Sequence, residues 1–247
     1  MSEIRRILPG PGTALDDEEL AALYAEGVGE APWTRVNFVS SLDGSATHAG
    51  RSAGLSDDAD RRVFDLLRRL CDVVVVGAGT VRIEGYGGMR VDDASAAWRE
   101  EHALAPQPVF AVVSARLDLD PASSVFRDAP RRPIVLTGSA APADRRAALA
   151  EVATVIECGP AHVQTREMTA ALARLGLRRI HCEGGPHLFG SLVADGTVDE
   201  LCLTLSPMLE GGTGPRIING VGSVPLGMRL KHVLASGDTL LLRYLRD

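Results

Sequence analysis

Short apolar runs alternate with stretches of helical spacing along most of this chain. Residues 72–77 (DVVVVG) form a β-branched run, which is typical of a strand buried on both faces of a sheet. Before this run, Ser56 is a candidate N-cap for a helix whose first turn carries Asp57 and Asp58. The apolar residues of this helix share one stripe; they are Val63, Phe64, Leu66, Leu67 and Leu70. The pattern therefore predicts a helix that ends near Leu70, followed by a central strand.

The same alternation continues to the C-terminal end of the sequence. It predicts strands at 34–40, 109–114, 133–137, 154–158, 179–183 and 200–206, and helices at 142–151, 165–175 and 185–194. Two final strands, 228–235 and 239–245, flank Gly237-Asp238 as a hairpin. Strands that alternate with helices specify an α/β fold with a mostly parallel central sheet flanked by helices, and the antiparallel C-terminal hairpin adds to one edge. Residues 91–107 and 210–224 are left as long loops.

Composition and charge exclude several classes of protein. The 247 residues are 45% hydrophobic and 23% charged, which is ordinary globular usage, and their number favours one domain. The formal net charge is −6 and the arginines are scattered among acids, so we expect no nucleic-acid partner. No run approaches the roughly 20 apolar residues of a membrane helix, and the first 12 residues carry no apolar signal core. We therefore expect a cytoplasmic protein with no membrane partner.

The cysteines and histidines give no indication of a metal centre. Cys71, Cys158, Cys182 and Cys202 are far apart, and without a secretory signal we expect four free buried thiols. Residues 181–183 (HCE) match half of a zinc deaminase signature, but the P-C-x-x-C half is missing. We therefore predict no bound metal.

Two glycine-rich turns follow predicted strands and open predicted helices. Residues 77–80 (GAGT) begin like a dinucleotide-binding fingerprint, although Arg82 stands where its third glycine belongs. Residues 183–186 (EGGP) repeat the arrangement, with Pro186 suited to a first helical turn. Each turn alone is equally explained as a tight structural bend. Two in one sheet favour a phosphate-bearing ligand, because bare amides at helix starts bind anions at the carboxyl ends of parallel strands.

Two charged residues of the predicted helix are candidates for ligand contact. Asp60 shares the stripe of Val63 and Phe64, and an acid on an inward face is costly unless it is paired. Either first-turn amides satisfy Asp60 or it contacts a ligand. Arg68, on the flank of the same helix, is either a solvated surface residue or a partner for an anionic group.

Five segments, taken in order, resemble the riboflavin-biosynthesis reductase family, the RibD C-terminal domain. They are residues 41–44 (SLDG), 60–70 (DRRVFDLLRRL), 76–81 (VGAGTV), 183–188 (EGGPHL) and 198–201 (VDEL). The resemblance covers residues 33–245 and implies a dihydrofolate-reductase-like fold. It divides the chain into an N-terminal extension, 1–32, and a single reductase domain, 33–247.

The resemblance also implies NADPH as cofactor and a set of contacts around it. The residues implied to bind the cofactor are Thr80, Glu84, Ser114, Arg116, Gly184, Gly185, Pro186, His187, Leu188, Phe189 and Gly190. Arg116 is suited to pair bidentately with the 2′-phosphate that distinguishes NADPH from NADH. Ser52, Arg68 and Glu183 fall where the family holds a ribosylamino-pyrimidine phosphate. The catalytic candidates are Glu183, which would orient the ring or relay a proton, and Glu84, which would bridge cofactor and substrate.

Three hypotheses about function follow. The first is an NADPH-dependent reductase that transfers hydride to the ring-opened ribosylamino carbon of 5-amino-6-(5-phosphoribosylamino)uracil. The second keeps fold and cofactor but reduces dihydrofolate or another pteridine, with Asp60 reading the amidine-like edge of the pterin. The third is a non-catalytic NADP-binding module. Residues 84–86 (EGY) replace an Asp-Asn-Pro-like stretch of the family, and Ser45 stands where many relatives have a basic residue. Both departures border the part of the site where the family holds its substrate.

The resemblance carries two further expectations about organisation. The zinc deaminase domain that accompanies this reductase in some proteins has no counterpart in the sequence, so we expect a stand-alone reductase. Family members commonly pair through a sheet edge, which implies a homodimer.

Overall fold

The computed structural model describes residues 3–10, 12–220, 222 and 225–247. The strands are β1 (Ile4–Leu8), β2 (Ala14–Leu15), β3 (Trp33–Ser40), β4 (Val73–Gly77), β5 (Val109–Val113), β6 (Ile134–Thr137), β7 (Thr154–Glu157), β8 (Arg179–Cys182), β9 (Glu200–Leu205), β10 (Met228–Ser236) and β11 (Thr239–Arg246). The helices are α1 (Asp17–Ala25), α2 (Asp58–Leu70), α3 (Ala78–Glu84), α4 (Asp93–Glu101), α5 (Ser124–Arg127), α6 (Ala143–Val152), α7 (Thr165–Arg174) and α8 (Pro186–Ala194). Every strand and helix predicted from residue 34 onward is present, and its ends lie within two residues of the prediction.

The strands form one sheet in the order β2-β1-β10-β11-β9-β3-β8-β4-β5-β6-β7. The seven strands from β9 to β7 in this order pair in parallel, whereas β11, β10, β1 and β2 are antiparallel to their neighbours. The predicted α/β architecture with antiparallel C-terminal strands is confirmed. The hairpin was wrongly placed at an edge, because β1 pairs with β10 and β2 pairs with β1.

The central strand β4 explains why the chain folds in layers. Val73 and Val75 face one core with α7 and α8, while Val74 and Val76 face a second core on the other side of the sheet. All four side chains are fully buried, as the β-branched run predicted. A third core joins α1 and α2 to the antiparallel strands.

Two sequence predictions need correction. Asp57, and not Ser56, is the N-cap of α2, since its carboxylate accepts from the amides of Ala59 and Asp60. The predicted loop 91–107 contains α4. This helix has no apolar stripe, because its buried side chains are Ser95 and Arg99. Arg99 donates to main-chain carbonyls at the end of α2, so α4 is held by hydrogen bonds that hydrophobic periodicity does not reveal.

The four cysteines are free and buried, as predicted. Burial raises the pKa of the Cys71 and Cys182 thiols to about 12 and that of Cys158 to about 11. Within the described residues, no group of three or more histidine, cysteine or acidic side chains is arranged to hold a metal ion. The helices of this part of the chain are all too short or too polar to cross a bilayer.

The fully buried carboxylate of Glu200 links β3 to the antiparallel strand β11 through two arginines. Glu200 accepts from Arg35 Nε at 2.7 Å, Arg243 Nε at 2.8 Å and Trp33 Nε1 at 2.8 Å. The two arginines also donate to the carbonyls of Tyr24 and Leu23, which fixes α1 on the sheet. Burial alone would raise the pKa of Glu200, but the charges of Arg35 and Arg243 outweigh burial and lower the pKa to about 2.

This network predicts a loss of stability in acid. Because the pKa of Glu200 is about 2 in the folded protein and about 4.5 otherwise, its contribution is complete above pH 4.5 and disappears as the pH falls towards 2. The linkage corresponds to about 3 kcal/mol. Urea unfolding gives the free energy of unfolding of the wild type and of Glu200→Gln at each pH. The difference between the two proteins should be about 3 kcal/mol smaller at pH 2 than at pH 6. A difference independent of pH would contradict the assignment.

Candidate active site

A cavity of about 770 Å³ opens at the carboxyl ends of β3, β4 and β8. Most of the predicted site residues line it together: Ser52, Asp60, Arg68, Thr80, Glu84, Glu183, Gly185, Pro186 and His187. They come from α2, α3, the start of α8 and the loops beside them, so the carboxyl edge of the parallel sheet gathers residues that are far apart in sequence.

The two glycine bends meet at the edge of this cavity. The amide of Gly77 donates to the carbonyl of Gly184 at 2.8 Å, and the peptide bond between Gly184 and Gly185 is cis. A Cβ atom on Gly185 would overlap Thr80 Oγ1, and Gly184 has a φ of +102°. Only glycine permits this close approach, which leaves main-chain amides bare where α8 begins without a side-chain cap. The arrangement fits a bound pyrophosphate group.

Other residues implied as cofactor contacts do not line the cavity. Leu188 and Phe189 pack in the core beneath α8, and Gly190 is buried with them. Ser114 is buried at the end of β5, where its amide donates to the Leu136 carbonyl. Arg116 is exposed on the surface that follows β5.

Glu183 is the electrostatic centre of the cavity. Arg68 donates to both carboxylate oxygens of Glu183, through Nε at 2.6 Å and Nη2 at 2.8 Å, and the Tyr86 hydroxyl donates to Oε2 at 2.8 Å. The Glu183 side chain is fully buried. Burial raises its pKa, but the charge and hydrogen bonds of Arg68 prevail and hold the pKa below its usual value. Glu183 is therefore ionised at neutral pH.

This geometry limits what Glu183 and Arg68 can do. An ionised carboxylate only accepts hydrogen bonds, and three of its roughly four acceptor positions are filled by protein donors. One acceptor position is left without a protein donor, and the ionised group holds no proton to donate. Arg68 neutralises Glu183 and stacks over the Phe64 ring at 4.3 Å, so its charge is already paired inside the protein.

Asp60 is held by two hydroxyl groups. Ser56 Oγ donates to Oδ2 at 2.6 Å, and Thr204 Oγ1 donates to Oδ1 at 2.5 Å. Each oxygen of Asp60 thus has one protein partner, which leaves about two of its four acceptor positions without a protein donor. Burial raises the pKa of Asp60 despite these two bonds.

Glu84 and Ser52 are also in contact. The amide of Ser52 donates to Glu84 Oε1 at 2.9 Å, where the turn Ser52–Gly54 meets the end of α3. A residue assigned to the substrate and one assigned to the cofactor therefore share one wall of the cavity.

Sequence analysis missed several lining residues. Tyr86 was noted only as a departure from the family pattern, yet its hydroxyl contacts Glu183 and its ring stacks on Phe110 with centroids 5.8 Å apart. Pro215 and Asn219 also line the cavity. They come from the predicted loop 210–224, whose described residues form neither helix nor strand. The Asn219 amide donates to the Pro186 carbonyl, a contact across 33 residues of sequence that no local pattern predicts.

The family model of the RibD C-terminal domain matches residues 32–242. The chain belongs to the RibD C-terminal domain family. This membership confirms the resemblance inferred from the five segments.

Named relatives and a solved structure agree with this membership. The chain is 29% identical to the 2,5-diamino-6-ribosylamino-4(3H)-pyrimidinone 5′-phosphate reductase of Methanothermobacter thermautotrophicus, over 86% of this chain and 97% of the relative. The reductase of the same name from Archaeoglobus fulgidus is 30% identical over 76% of this chain and 87% of the relative. A crystal structure of a pyrimidine reductase-like protein from Corynebacterium diphtheriae superimposes with a TM-score of 0.83 and 25% identity, covering 92% of this chain and 98% of that one. The fold is that of its RibD-type relatives.

Proposed function

We propose that the protein is an NADPH-dependent reductase of the riboflavin pathway that acts on a ribosylaminopyrimidine 5′-phosphate. The observation that carries the proposal is the meeting of the two glycine bends beside a cavity centred on the ionised Glu183. The relatives matched over nearly their full length are named for the 2,5-diamino-pyrimidinone, so we take that ring as the substrate. The uracil ring of the first hypothesis differs from it at one exocyclic position. The pteridine hypothesis is not supported.

The residues present fit NADPH. The uncapped amides at the start of α8 would hold the pyrophosphate, and Thr80 would contribute its hydroxyl beside them. Ser114 and Arg116 follow the carboxyl end of β5, where they would extend the cofactor site along the same edge of the sheet. When bound, the cofactor supplies the hydride for a C=N-type carbon.

The chain's own residues orient the heterocycle and control protons. Glu183 offers its remaining lone-pair position to a ring N–H, and Arg68 and Tyr86 keep its carboxylate in one orientation. Phe64 and Tyr86 give the cavity apolar walls that exclude water from the reacting carbon. Since Glu183 is ionised, the proton added to the product comes from another group.

NADPH oxidation assays with both pyrimidine phosphates test the proposal. We expect turnover of the 2,5-diamino-pyrimidinone phosphate and slower turnover, or none, of the uracil compound. Faster turnover of the uracil compound would reverse the substrate assignment. NADPH binding without oxidation of either compound would overturn the reductase function and favour the non-catalytic module.

Arg116 provides a separate prediction about cofactor choice. Because its exposed guanidinium is suited to pair with the 2′-phosphate, Arg116→Ala should raise the KM for NADPH about tenfold to a hundredfold and leave the KM for NADH unchanged. Arg229→Ala, which removes an exposed arginine from β10, is the matched control. An equal effect on both cofactors would show that Arg116 does not read the phosphate.

We further propose that the enzyme works in the cytoplasm as a homodimer. Light scattering on the purified protein should give about twice the chain mass of 26.1 kDa. A monomer mass across a range of concentrations would refute the dimer.

A further inference from the structure

Asn37 is a buried amide in the lining of the active-site cavity, and neither the glycine bends nor the charged residues described above use it. It belongs to β3 and lines the cavity. Only 8% of its surface is exposed, and within the described residues its side-chain amide forms no hydrogen bond. The amide atoms nevertheless keep accessible surface, so they face the cavity and not a closed interior. Buried polar groups are normally paired, which points to a partner that enters the cavity.

Strand register places Asn37 beside Glu183. β3 and β8 are parallel, with Arg35 opposite His181, and the same register brings Asn37 opposite Glu183 two positions further along. Because side chains alternate across a strand, Asn37 and Glu183 lie on the same face of the sheet as Arg35 and His181. The 3.5 Å between His181 Nε2 and Glu183 Oε1 agrees with this placement. Neighbouring strands are about 4.8 Å apart, so the amide and the carboxylate stand side by side.

Together the two groups offer a hydrogen-bond acceptor next to a donor. Glu183 is ionised and keeps one acceptor position without a protein donor. The Asn37 amide carries an NH2 donor and a carbonyl acceptor, and the negative charge of Glu183 attracts the NH2 end to its side. An acceptor beside a donor matches a ring N–H that is followed by a ring carbonyl, which is the lactam edge of a heterocycle.

We propose that Asn37 is a specificity-determining residue that donates from Nδ2 to the ring carbonyl of the substrate, while Glu183 accepts from the adjacent ring N–H. This inference rests on the proposed function and adds to it the chemical class of the ring, a lactam. A ring with an amino group in place of the carbonyl would oppose its own donor to the NH2 of Asn37 and a ring lone pair to Glu183. Such unpaired polar groups in a buried site cause strong rejection.

The 2,5-diamino-pyrimidinone proposed as substrate has this lactam edge, because its N3–H adjoins the C4 carbonyl. The uracil compound has the same two groups at these positions. Asn37 therefore accepts both rings and does not choose between them. Its contact selects the oxygen at C4.

Calorimetric binding of two ring compounds tests the contact without requiring turnover. The probes are the 2,5-diamino-pyrimidinone phosphate and its 4-thio analogue, which keeps N3–H but replaces the carbonyl oxygen by sulfur, a weaker acceptor. We expect the wild type to bind the oxygen compound about tenfold more tightly than the sulfur compound. Asn37→Ala should raise the Kd of the oxygen compound about tenfold and leave that of the sulfur compound within twofold, so that the preference disappears.

Gln164→Ala is the matched control, since it removes an exposed side-chain amide at the start of α7. This variant should keep both dissociation constants of the wild type. Circular dichroism establishes that each variant is folded. Equal weakening of both compounds by Asn37→Ala would show that Asn37 only supports the cavity wall, and no weakening of either would show that it does not contact the ring. Both results would overturn the proposal.

The same measurements separate this inference from the proposed function. A wild type that shows the tenfold preference, lost in Asn37→Ala, but oxidises no NADPH would keep the Asn37 contact and reject the reductase. A working reductase whose preference survives in Asn37→Ala would reject the contact alone. A wild type that binds neither compound would reject both.

Discussion

Gly185→Val is expected to raise the Kd for NADPH about a thousandfold. The added Cβ would overlap Thr80 Oγ1, and the branched valine side chain forces Thr80 and the bend apart, so the amides at the start of α8 lose their alignment with Thr80. Two charge-assisted hydrogen bonds of about 1.5–3 kcal/mol each account for a loss of this size. Titration monitored by nicotinamide fluorescence measures the loss directly.

Gly29→Val is the matched control, since a Cβ at Gly29 meets no atom within 4 Å. This variant should bind NADPH like the wild type. A Gly185→Val protein that is folded, by circular dichroism, and binds NADPH within tenfold of the wild type would show that the glycine bends do not hold the cofactor.

Glu183→Gln is expected to lower kcat/KM about a thousandfold while the Kd for NADPH stays unchanged. The amide nitrogen cannot accept from Arg68 or Tyr86, so a buried guanidinium loses its counter-charge and the acceptor for the heterocycle is misplaced. The lost charge-assisted hydrogen bond to the heterocycle is worth about 1.5–3 kcal/mol, and the misplaced substrate adds to the loss of rate. Breaking the buried pair also costs about 3–5 kcal/mol of folding stability, so the unfolding free energy of the variant is measured beside its kinetics. Steady-state kinetics with the pyrimidine phosphate measure the effect.

Two controls accompany this variant. Tyr86→Phe removes one of the three donors and should cost about tenfold, whereas Glu157→Gln, at a half-exposed ion pair with Arg146, should cost nothing. Since the pKa of Glu183 is lowered, kcat/KM of the wild type should show no loss from Glu183 protonation between pH 5 and 8. Activity of Glu183→Gln within fivefold of the wild type would remove Glu183 from the site.

The order of strands and helices could be predicted from sequence because its causes are local. The run Val73–Val76 is buried on both faces, and the Asp-capped helix α2 presents its stripe to the core. Helix α4 could not be predicted in this way, since it is held by Arg99 and carries no apolar period. β1 is mostly exposed and is stabilised by pairing with β10, and the two-residue β2 is stabilised by pairing with β1, so neither strand has a local sequence signal.

The candidate site was predictable only in part, for a related physical reason. Glycine bends are local in sequence, and their meeting follows from the common carboxyl edge of parallel strands. The partners of Glu183 are not local: Arg68 lies 115 residues away and Tyr86 lies 97 residues away. The family resemblance places Arg68 at the substrate, and the structure shows its guanidinium paired with a carboxylate of the same chain in the lining of the cavity.

The four buried thiols have a consequence for the life of the protein under oxidative conditions. The thiolate is the form of cysteine that reacts with peroxides and other electrophiles. Burial raises the pKa of all four thiols and keeps them protonated well above neutral pH. Oxidation of these thiols therefore requires that the fold first opens. The rate at which these four thiols are oxidised therefore scales with the small fraction of molecules that are open, as well as with the oxidant concentration.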